Sequence, residues 1–276
     1  MLERPFIPES SHSWLPHTPA ELKEMLGDAT WEADDWGMSN THVYRIGQRY
    51  LKISPSPISF NQEQRVLAAE AARLQWLAER LPVPEVHYYG HNEQEEFLLI
   101  SELSGIVSCD ETLGDRVPKV VRLLAEGLHM VHHVDISACP FDMRREKQLE
   151  LARQYLAQGM IDATQFSVAF QGLSAQEVYE LALQYSSFDE DLVFTHGDYC
   201  LPNILLDRQL SQVSGLIDWG RAGIADRYTD LALAARSLAR NFGEQWIPLL
   251  FTEYGLASVD QVKLQFYRAL DEISWI

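Results

Sequence analysis

Two short segments of the chain place acidic and amide side chains among apolar residues. The first, FTHGDYCLPNILLD at residues 194–207, carries Asp198 and, five positions later, Asn203. The second, GLIDWGRAG at residues 215–223, places Asp218 at the end of an apolar run and shortly before a glycine. Short apolar runs of this kind predict buried strands. We therefore expect a pair of strands whose polar residues have a chemical role rather than a packing role.

The first hundred residues have the pattern of a sheet with one main helix. Residues 41–54 predict a hairpin around Gly47–Gln48, because β-branched and aromatic residues lie on both sides of the turn. Residues 67–81 predict a helix with an apolar stripe, and residues 95–101 predict another strand. An earlier helix is expected to open with a capping box at residues 18–21, with proline at its first helical position.

Beyond residue 105 the pattern becomes helical. Apolar periodicity predicts helices over residues 118–134, 146–160 and 174–185. The last of these opens with a capping box formed by Ser174 and Glu177. The two polar segments come next, and further helices are expected up to the C-terminus.

This order of elements predicts an α+β fold with two lobes. The small lobe, residues 1–103, is rich in strands and has one main helix. The larger lobe, residues 104–276, is mostly helical and carries both polar segments. A short connection near residues 101–105 joins them, and a cleft between the lobes is the expected place for a ligand.

The composition argues against several classes of protein. No apolar run approaches the ~20 residues that a membrane-spanning helix needs, and the first residues lack the order of a signal peptide. The three cysteines, Cys109, Cys139 and Cys200, have no CxxC spacing. A disulfide framework or a zinc site is therefore not expected, and a cytoplasmic location fits. The formal net charge of −18 disfavours nucleic acid as a partner and favours a polycationic small molecule.

Glu70 is a charged residue on a helix face that should be buried. It lies three residues after Leu67 and four before Leu74, in line with the apolar stripe. A buried carboxylate costs several kcal/mol unless it is paired. Lys52, at the end of the second hairpin strand, is the nearest upstream partner. Solvation of Glu70 at the edge of the stripe is the alternative.

Phosphoryl transfer requires an ordered set of residues that this chain contains. Such an enzyme needs a lysine on the nucleotide phosphates, a residue that orients the attacking hydroxyl, and oxygen ligands for Mg²⁺. Protein kinases supply them as a strand lysine paired to a helix glutamate, then Asp-x-x-x-x-Asn, then Asp-Phe-Gly. The corresponding residues here, in the same order, are Lys52, Glu70, Asp198 with Asn203, and Asp218 before Trp219 and Gly220. The order of all four elements favours a kinase reaction.

The chain resembles the aminoglycoside phosphotransferases, and among them the 3′-phosphotransferases (kanamycin and neomycin kinases). The resemblance covers residues 30–274 and rests above all on THGDYCLPN and GLIDWGRAGIADRYTDLALAARS, with EAARLQWL, LLISELSG, LHMVHHVDISACPFD and LDEI in support. It implies a protein-kinase-like fold, ATP or alternatively GTP as phosphoryl donor, and Mg²⁺ as cofactor. It also implies a monomer or weak dimer that confers antibiotic resistance.

The resemblance implies a role for each matching residue on the nucleotide side. Asp198 would orient or deprotonate the acceptor hydroxyl, and Asn203 and Asp218 would hold Mg²⁺. Lys52, held by Glu70, would contact the α- and β-phosphates. The remaining nucleotide contacts would come from the small-lobe loop and from the connection between the lobes, at Met38, Ser39, Ser101 and Leu103.

On the acceptor side the sequence departs from its relatives. Close relatives place acidic residues in the loop before the third helix of the large lobe, whereas this loop reads TQFSVAFQG, with Val168 and Ala169. The acceptor-binding residues implied by the resemblance are Arg221, Arg236, Asp271, Glu272 and the nearest loop carboxylate, Asp162. The two arginines would fix carboxylates that face the ligand.

The leading function is ATP-dependent phosphorylation of an aminoglycoside hydroxyl, with the 3′ position expected. The nearest alternative is the same chemistry at the 3″ position of streptomycin or on a metabolite hydroxyl. A non-catalytic nucleotide-binding regulator is a reading of another class, and the intact Lys52, Asp198, Asn203 and Asp218 argue against it. An acidic polyamine-binding protein would explain the charge but not the ordered motifs.

Overall fold

The computed structural model describes residues 18–27, 29–34, 41–56 and 65–274. Two compact units are present, the first within Met1–Gln75 and Pro84–Glu102, and the second within Trp76–Val83 and Leu103–Ile276. Met38 and Ser39, for which the resemblance implies a contact with the nucleotide, lie outside the described residues. No described helix is long and apolar enough to cross a membrane.

A five-stranded antiparallel sheet forms the centre of the first unit. Its order is β1-β2-β3-β5-β4, with β1 at Glu32–Asp34, β2 at His42–Ile46, β3 at Arg49–Pro55, β4 at Val86–His91 and β5 at Glu95–Ser101. The predicted hairpin is confirmed, since β2 pairs with β3 and Gly47 takes the φ of 62° that the turn between them requires. The predicted strand at residues 95–101 is confirmed as β5.

The two faces of this sheet carry different residues. Leu51 and Ile53 of β3 pack into an apolar core together with Leu22 and Leu26 of helix α1 (Ala20–Leu26). Side chains alternate along a strand, so Lys52 projects from the opposite face. Helix α2 (Val66–Leu77) lies on that side. The alternation of β3 therefore places one lysine beside one helix.

Two details of the helices differ from the sequence prediction. The capping box at residues 18–21 is wrong, because α1 begins at Ala20 with Pro19 as its N-cap and without a side-chain cap. Helix α2 ends at Leu77 rather than at residue 81. A tight turn follows the helix, with a hydrogen bond of 2.8 Å from Arg80 N to Leu77 O. Pro82 then disfavours a helical conformation at Leu81.

Six α-helices are described in the second unit. They are α3 (Val117–His132), α4 (Arg145–Ala157), α5 (Ala175–Gln184), α6 (Tyr228–Phe242), α7 (Ile247–Glu253) and α8 (Gln261–Glu272). The helices predicted at residues 118–134, 146–160 and 174–185 are confirmed as α3, α4 and α5. The capping box of α5 is confirmed too, with Ser174 Oγ accepting from Glu177 N and Glu177 Oε2 accepting from Ser174 N.

The two polar segments connect two small sheets of the second unit. Strands β6 (Ile106–Val107), β8 (Ile204–Leu206) and β9 (Val213–Leu216) form one, and β7 (Leu192–Thr195) pairs with β10 (Gly223–Asp226) to form the other. A single pair of strands was expected to carry both segments. Instead the first segment runs from β7 to β8 and the second from β9 to β10, because a polar loop interrupts each apolar run. Both loops thus lie between the same two sheets.

A buried ion pair joins α8 to β10. Lys263 Nζ lies 2.6 Å from Asp226 Oδ2, and the two side chains are 10% and 0% exposed. The same aspartate accepts hydrogen bonds from the backbone N–H groups of Asp191 and Tyr228, each at 2.8 Å. A carboxylate with three donors tolerates burial. Removal of the lysine would leave its negative charge buried without a counter-charge.

Lys263→Met should lower the free energy of unfolding by about 3 kcal/mol, because it leaves the buried Asp226 carboxylate without its counter-charge. Urea unfolding followed by circular dichroism measures the change. Arg153→Ala is the control, since Arg153 pairs with Glu150 on the exposed surface of α4. This substitution should change the free energy of unfolding by no more than the experimental error. Equal effects of the two substitutions would contradict the importance of the buried pair.

Candidate active site

Lys52 and Glu70 form the ion pair that the sequence predicts. Lys52 Nζ lies 2.7 Å from Glu70 Oε1, and the side chains are 11% and 6% exposed. Helix α2 is held in place nearby by Glu96, whose carboxylate accepts from Ala68 N at 3.1 Å. Glu96 and Leu98 are two residues apart and therefore lie on the same face of β5, and Leu98 is the partner of Lys52 in the neighbouring strand. The sheet thus places the lysine on the face that holds the helix.

The buried carboxylate of Asp230 holds the loop that follows β7. Asp230 is 0% exposed and lies in the first turn of α6. Its Oδ2 accepts from His196 N at 2.7 Å and its Oδ1 from Gly197 N at 2.8 Å. His132 of α3 contacts the same carboxylate through Nε2 at 3.2 Å. Two consecutive backbone groups just before Asp198 are therefore fixed to the helical core.

His196 has a structural role as a hydrogen-bonding residue. Its Nε2 donates to Ile217 O at 2.9 Å, and its Nδ1 accepts from Asp198 N at 3.2 Å. Burial lowers the pKa of His196 despite the neighbouring carboxylates, so the ring is neutral at pH 7. Gly197 has φ 78°, and a Cβ at this position would lie 2.3 Å from Arg221 O. Only glycine fits this turn.

Asp198 and Asn203 form a hydrogen-bonded unit. Asn203 Nδ2 donates to both Asp198 O, at 3.0 Å, and Asp198 Oδ2, at 2.9 Å. The second carboxylate oxygen, Oδ1, is buried, and no N–H or O–H group of the described residues donates to it. Cys200 lies beside it; burial and then the charge of Asp198 raise the pKa of this thiol well above its ordinary value. Cys200 is thus a weak donor and not a thiolate nucleophile.

Asp218 lies in an uncommon backbone conformation close to Asn203. Its φ is 64°, a left-handed value that aspartate tolerates better than most residues and that recurs at functional sites. The preceding residue, Ile217, donates its N–H to Asn203 O at 3.0 Å. Trp219 is 0% exposed and donates from Nε1 to Leu216 O at 2.9 Å. This hydrogen bond of the buried indole stabilises the turn that contains Asp218.

Arg221 and Arg236 both approach the carboxylate of Asp271. Arg236 of α6 makes a close ion pair with Asp271 of α8, and Arg221 Nη1 lies 3.8 Å from Asp271 Oδ1. Burial opposes the charge of Arg236, but Asp271, Cys200 and Glu272 together outweigh it and raise the pKa of the guanidinium. Arg236 also interacts with Cys200. A chain of polar contacts therefore leads from Asp198 to the end of α8.

Glu272 and Asp162 belong to the same region but differ in exposure. Glu272 is 8% exposed, and its Oε2 accepts from Ser167 N at 2.9 Å. Asp162 is exposed and caps a short turn, with Oδ1 accepting from Thr164 N and from Thr164 Oγ1. Those hydrogen bonds hold the pKa of Asp162 below its ordinary value. Both carboxylates thus have a local role in the loop between α4 and α5.

Ser101 and Leu103, for which the resemblance implies a contact with the adenine, lie at the end of β5 and just beyond it. The N–H of Ser101 donates to Glu85 O, and the N–H of Glu102 donates to Gln48 O, each at 2.9 Å. Those two groups are therefore committed to the sheet. Leu103 follows them, and its side chain is close enough to Gly215 that a Cβ there would meet it at 2.7 Å.

Asp230 is the important residue that the sequence analysis missed. It lies in a helix whose residues from Tyr228 to Ala235 are all buried. An acidic residue within such a run is the same signal that identified Glu70. The signal is present in TDLALAARSL, but the sequence does not indicate which groups this carboxylate binds. Ser237, whose Oγ accepts from Leu201 N at 2.9 Å, was missed because serine is ordinary on a helix.

Comparison with known proteins gives consistent matches over most of the chain. Residues 30–269 match the phosphotransferase enzyme family. An aminoglycoside 3′-phosphotransferase from Niallia circulans is 37% identical over 270 residues, covering 96% of this chain and 98% of the relative.

Two solved structures are similar in fold and sequence. Aminoglycoside phosphotransferase APH(3″)-Id from Streptomyces rimosus ATCC10970, also solved in complex with ADP and streptomycin, has a TM-score of 0.81 and 27% identity over 92% of this chain and 96% of that chain. Aminoglycoside-3′-phosphotransferase of type VIII has a TM-score of 0.79 and 31% identity over the same shares. The predicted α+β, protein-kinase-like fold is confirmed, and the chain belongs to the aminoglycoside phosphotransferases within the phosphotransferase enzyme family.

Proposed function

We propose that this protein transfers the γ-phosphoryl group of ATP to the 3′-hydroxyl of an aminoglycoside and thereby confers resistance. The arrangement around Asp198 carries the proposal. One carboxylate oxygen is held by Asn203, the backbone before it is held by Asp230, and no N–H or O–H group of the described part of the chain donates to the other oxygen. A fixed carboxylate oxygen of this kind suits a group that accepts a hydrogen bond from a substrate hydroxyl.

In the proposed reaction the acceptor hydroxyl donates its hydrogen bond to Asp198 Oδ1. The hydroxyl oxygen attacks the γ-phosphorus, the bond between this phosphorus and the bridging oxygen of ADP breaks, and the hydroxyl proton passes to Asp198. Because the transition state of phosphoryl transfer is loose, catalysis depends mainly on position and charge. The hydrogen bonds that fix residues 196–198 therefore matter as much as the basicity of the carboxylate.

The nucleotide side of the proposal assigns Lys52 to the α- and β-phosphates. The 2.7 Å bond to Glu70 supports this, because it orients a single ammonium group that would otherwise sample many rotamers. For the adenine we propose the segment Ser101–Leu103. Within it the N–H of Leu103 is the best-placed donor, since those of Ser101 and Glu102 already donate within the sheet. Met38 and Ser39 keep their proposed role at the phosphates on the resemblance alone.

Asn203 and Asp218 fit a magnesium ion. The amide nitrogen of Asn203 serves two acceptors of Asp198, which leaves its Oδ1 as an oxygen donor. The Asp218 carboxylate would supply the second hard oxygen ligand, since Mg²⁺ commonly takes one or two protein oxygens together with substrate phosphates. When bound, the ion would neutralise charge on the β- and γ-phosphates.

The acceptor side of the proposal comprises Arg221, Arg236, Asp271, Glu272 and Asp162. An aminoglycoside carries several ammonium groups at pH 7, and the net charge of −18 raises its local concentration around the protein. Asp271 is fixed by two arginines. Among the proposed acceptor carboxylates it is the one linked to Asp198, through Arg236 and Cys200. The exposed Asp162 is the proposed outer contact.

Streptomycin is the second candidate acceptor, because the Streptomyces rimosus structure with a TM-score of 0.81 belongs to a protein that was solved with streptomycin. A coupled ADP-release assay with kanamycin, neomycin, streptomycin and choline, one at a time, separates the possibilities. We expect turnover with kanamycin and neomycin. Turnover with streptomycin alone would favour the second candidate. Turnover with choline alone, or no turnover with any of the four compounds, would refute the proposed function.

Asp198→Ala should lower kcat by about 10²–10⁴-fold, the range typical of a general base or orienting group, while the KM for ATP stays near that of the wild type. The reason is that Asp198 acts on the acceptor hydroxyl and not on the triphosphate. Asp207→Ala is the matched control, because Asp207 belongs to the same segment but only caps the turn before β9. Retention of more than about a tenth of kcat would remove Asp198 from the proposed role.

Lys52→Ala should raise the KM for ATP, and Glu70→Ala should raise it less, because the glutamate acts through the lysine. The double variant should therefore resemble Lys52→Ala rather than show the sum of both effects. Steady-state kinetics of the four proteins measures the coupling, and Arg73→Ala on the same helix is the control. Additive free-energy changes would show that the ion pair has no function in nucleotide binding.

A further inference from the structure

The loop between α4 and α5 is tied to the C-terminal helix through one hydrogen bond. Ser167 donates its backbone N–H to Glu272 Oε2 at 2.9 Å. Glu272 is the last residue of α8 and is 8% exposed, so this carboxylate is directed into the protein. The neighbour of Glu272 in the chain, Asp271, is the residue that pairs with Arg221 and Arg236.

Other contacts hold the loop on both sides of this bond. Phe166 and Phe170 are 4% and 5% exposed, and Phe170 N donates to Ser167 O at 2.9 Å. Between these two buried rings Val168 is 84% exposed. Residues 166–170 therefore form a short arch. Phe166 and Phe170 at its two ends are buried, Val168 in its middle is exposed, and its backbone is held by the hydrogen bond to Glu272.

We propose that Glu272 is a positioning residue, which acts on the acceptor by holding the arch formed by residues 166–170 rather than by direct contact with an ammonium group. The inference rests on the proposed function, because it concerns the acceptor side of that same site. A carboxylate that accepts a backbone N–H and is almost fully buried is expensive to turn towards a ligand. Asp271 and the exposed Asp162 then supply the direct negative charge.

The backbone of the arch allows the hydrogen bond to be deleted without touching Glu272. Ser167 has φ −62° and ψ 161°, which matches the φ that proline imposes. Phe166 has φ −59° and ψ 143°, the extended conformation that a residue before proline prefers. Ser167→Pro thus removes the N–H donor at a position where the proline ring fits. The Phe170 bond to Ser167 O is unaffected.

A matched proline substitution is available outside the arch. Ala175 is the first residue of α5, after its N-cap Ser174 with ψ 159°. The N–H at this helical position has no intrahelical acceptor, and proline is well tolerated there. Ala175→Pro therefore adds the same ring nearby without removing a hydrogen bond and should leave the kinetics unchanged.

The test measures acceptor KM, ATP KM and melting temperature for the wild type, Ser167→Pro, Ala175→Pro, Glu272→Ala and Glu272→Gln. With the acceptor that the ADP-release assay identifies, Ser167→Pro should raise the acceptor KM about tenfold, in the range of one hydrogen bond to a carboxylate. The ATP KM should not change. Glu272→Gln keeps an acceptor oxygen for Ser167 and should rescue most of the defect of Glu272→Ala.

An acceptor KM for Ser167→Pro equal to that of Ala175→Pro would overturn the proposal. Equal defects of Glu272→Gln and Glu272→Ala would also overturn it, because only a direct charge contact makes the two variants alike. This second comparison decides the matter if Ser167→Pro does not fold. A wild-type protein inactive on every aminoglycoside would instead refute the proposed function, which distinguishes the two failures.

Discussion

The geometry of the candidate active site depends on one buried carboxylate. Asp230 binds two consecutive backbone N–H groups, those of His196 and Gly197, with its two oxygens. Without this anchor, both backbone N–H groups would be buried without partners, which is costly in a low-dielectric interior. Because the fixed residues directly precede Asp198, the interaction that stabilises the loop also sets the position of the proposed catalytic carboxylate. In the proposed reaction, stability and catalysis therefore depend on the same hydrogen bonds.

The sequence predicted the fold class and the ionic pair of the first unit for physical reasons that the structure bears out. Alternation along β3 sends Lys52 away from the apolar core, and the helical stripe of α2 sends Glu70 inwards. The two therefore meet at 2.7 Å. Short-range patterns also gave the hairpin at Gly47 and the capping box at Ser174. Each of these depends on residues that are close in the sequence or on a strict period.

Interactions between distant segments were harder to predict. Asp230 contacts residues more than thirty positions away, and no local pattern indicates which backbone groups a buried carboxylate will bind. The same holds for Glu272, whose partner Ser167 is 105 positions distant. Its assignment as an acceptor contact came from its place in the LDEI segment. Its burial and its bond to a backbone N–H emerge only when the helix and the loop are seen together.

The most direct test of this account is the kcat of Asp230→Asn. Asparagine has the same size, but one of its two terminal atoms is an NH₂ group that would face a backbone N–H. The loop should shift, and since a misplacement of about 1 Å can cost about 100-fold in rate, kcat should fall by about that factor with little change in the KM for ATP. A kcat within about threefold of the wild type, in a variant that remains folded, would contradict the claim that Asp230 positions Asp198.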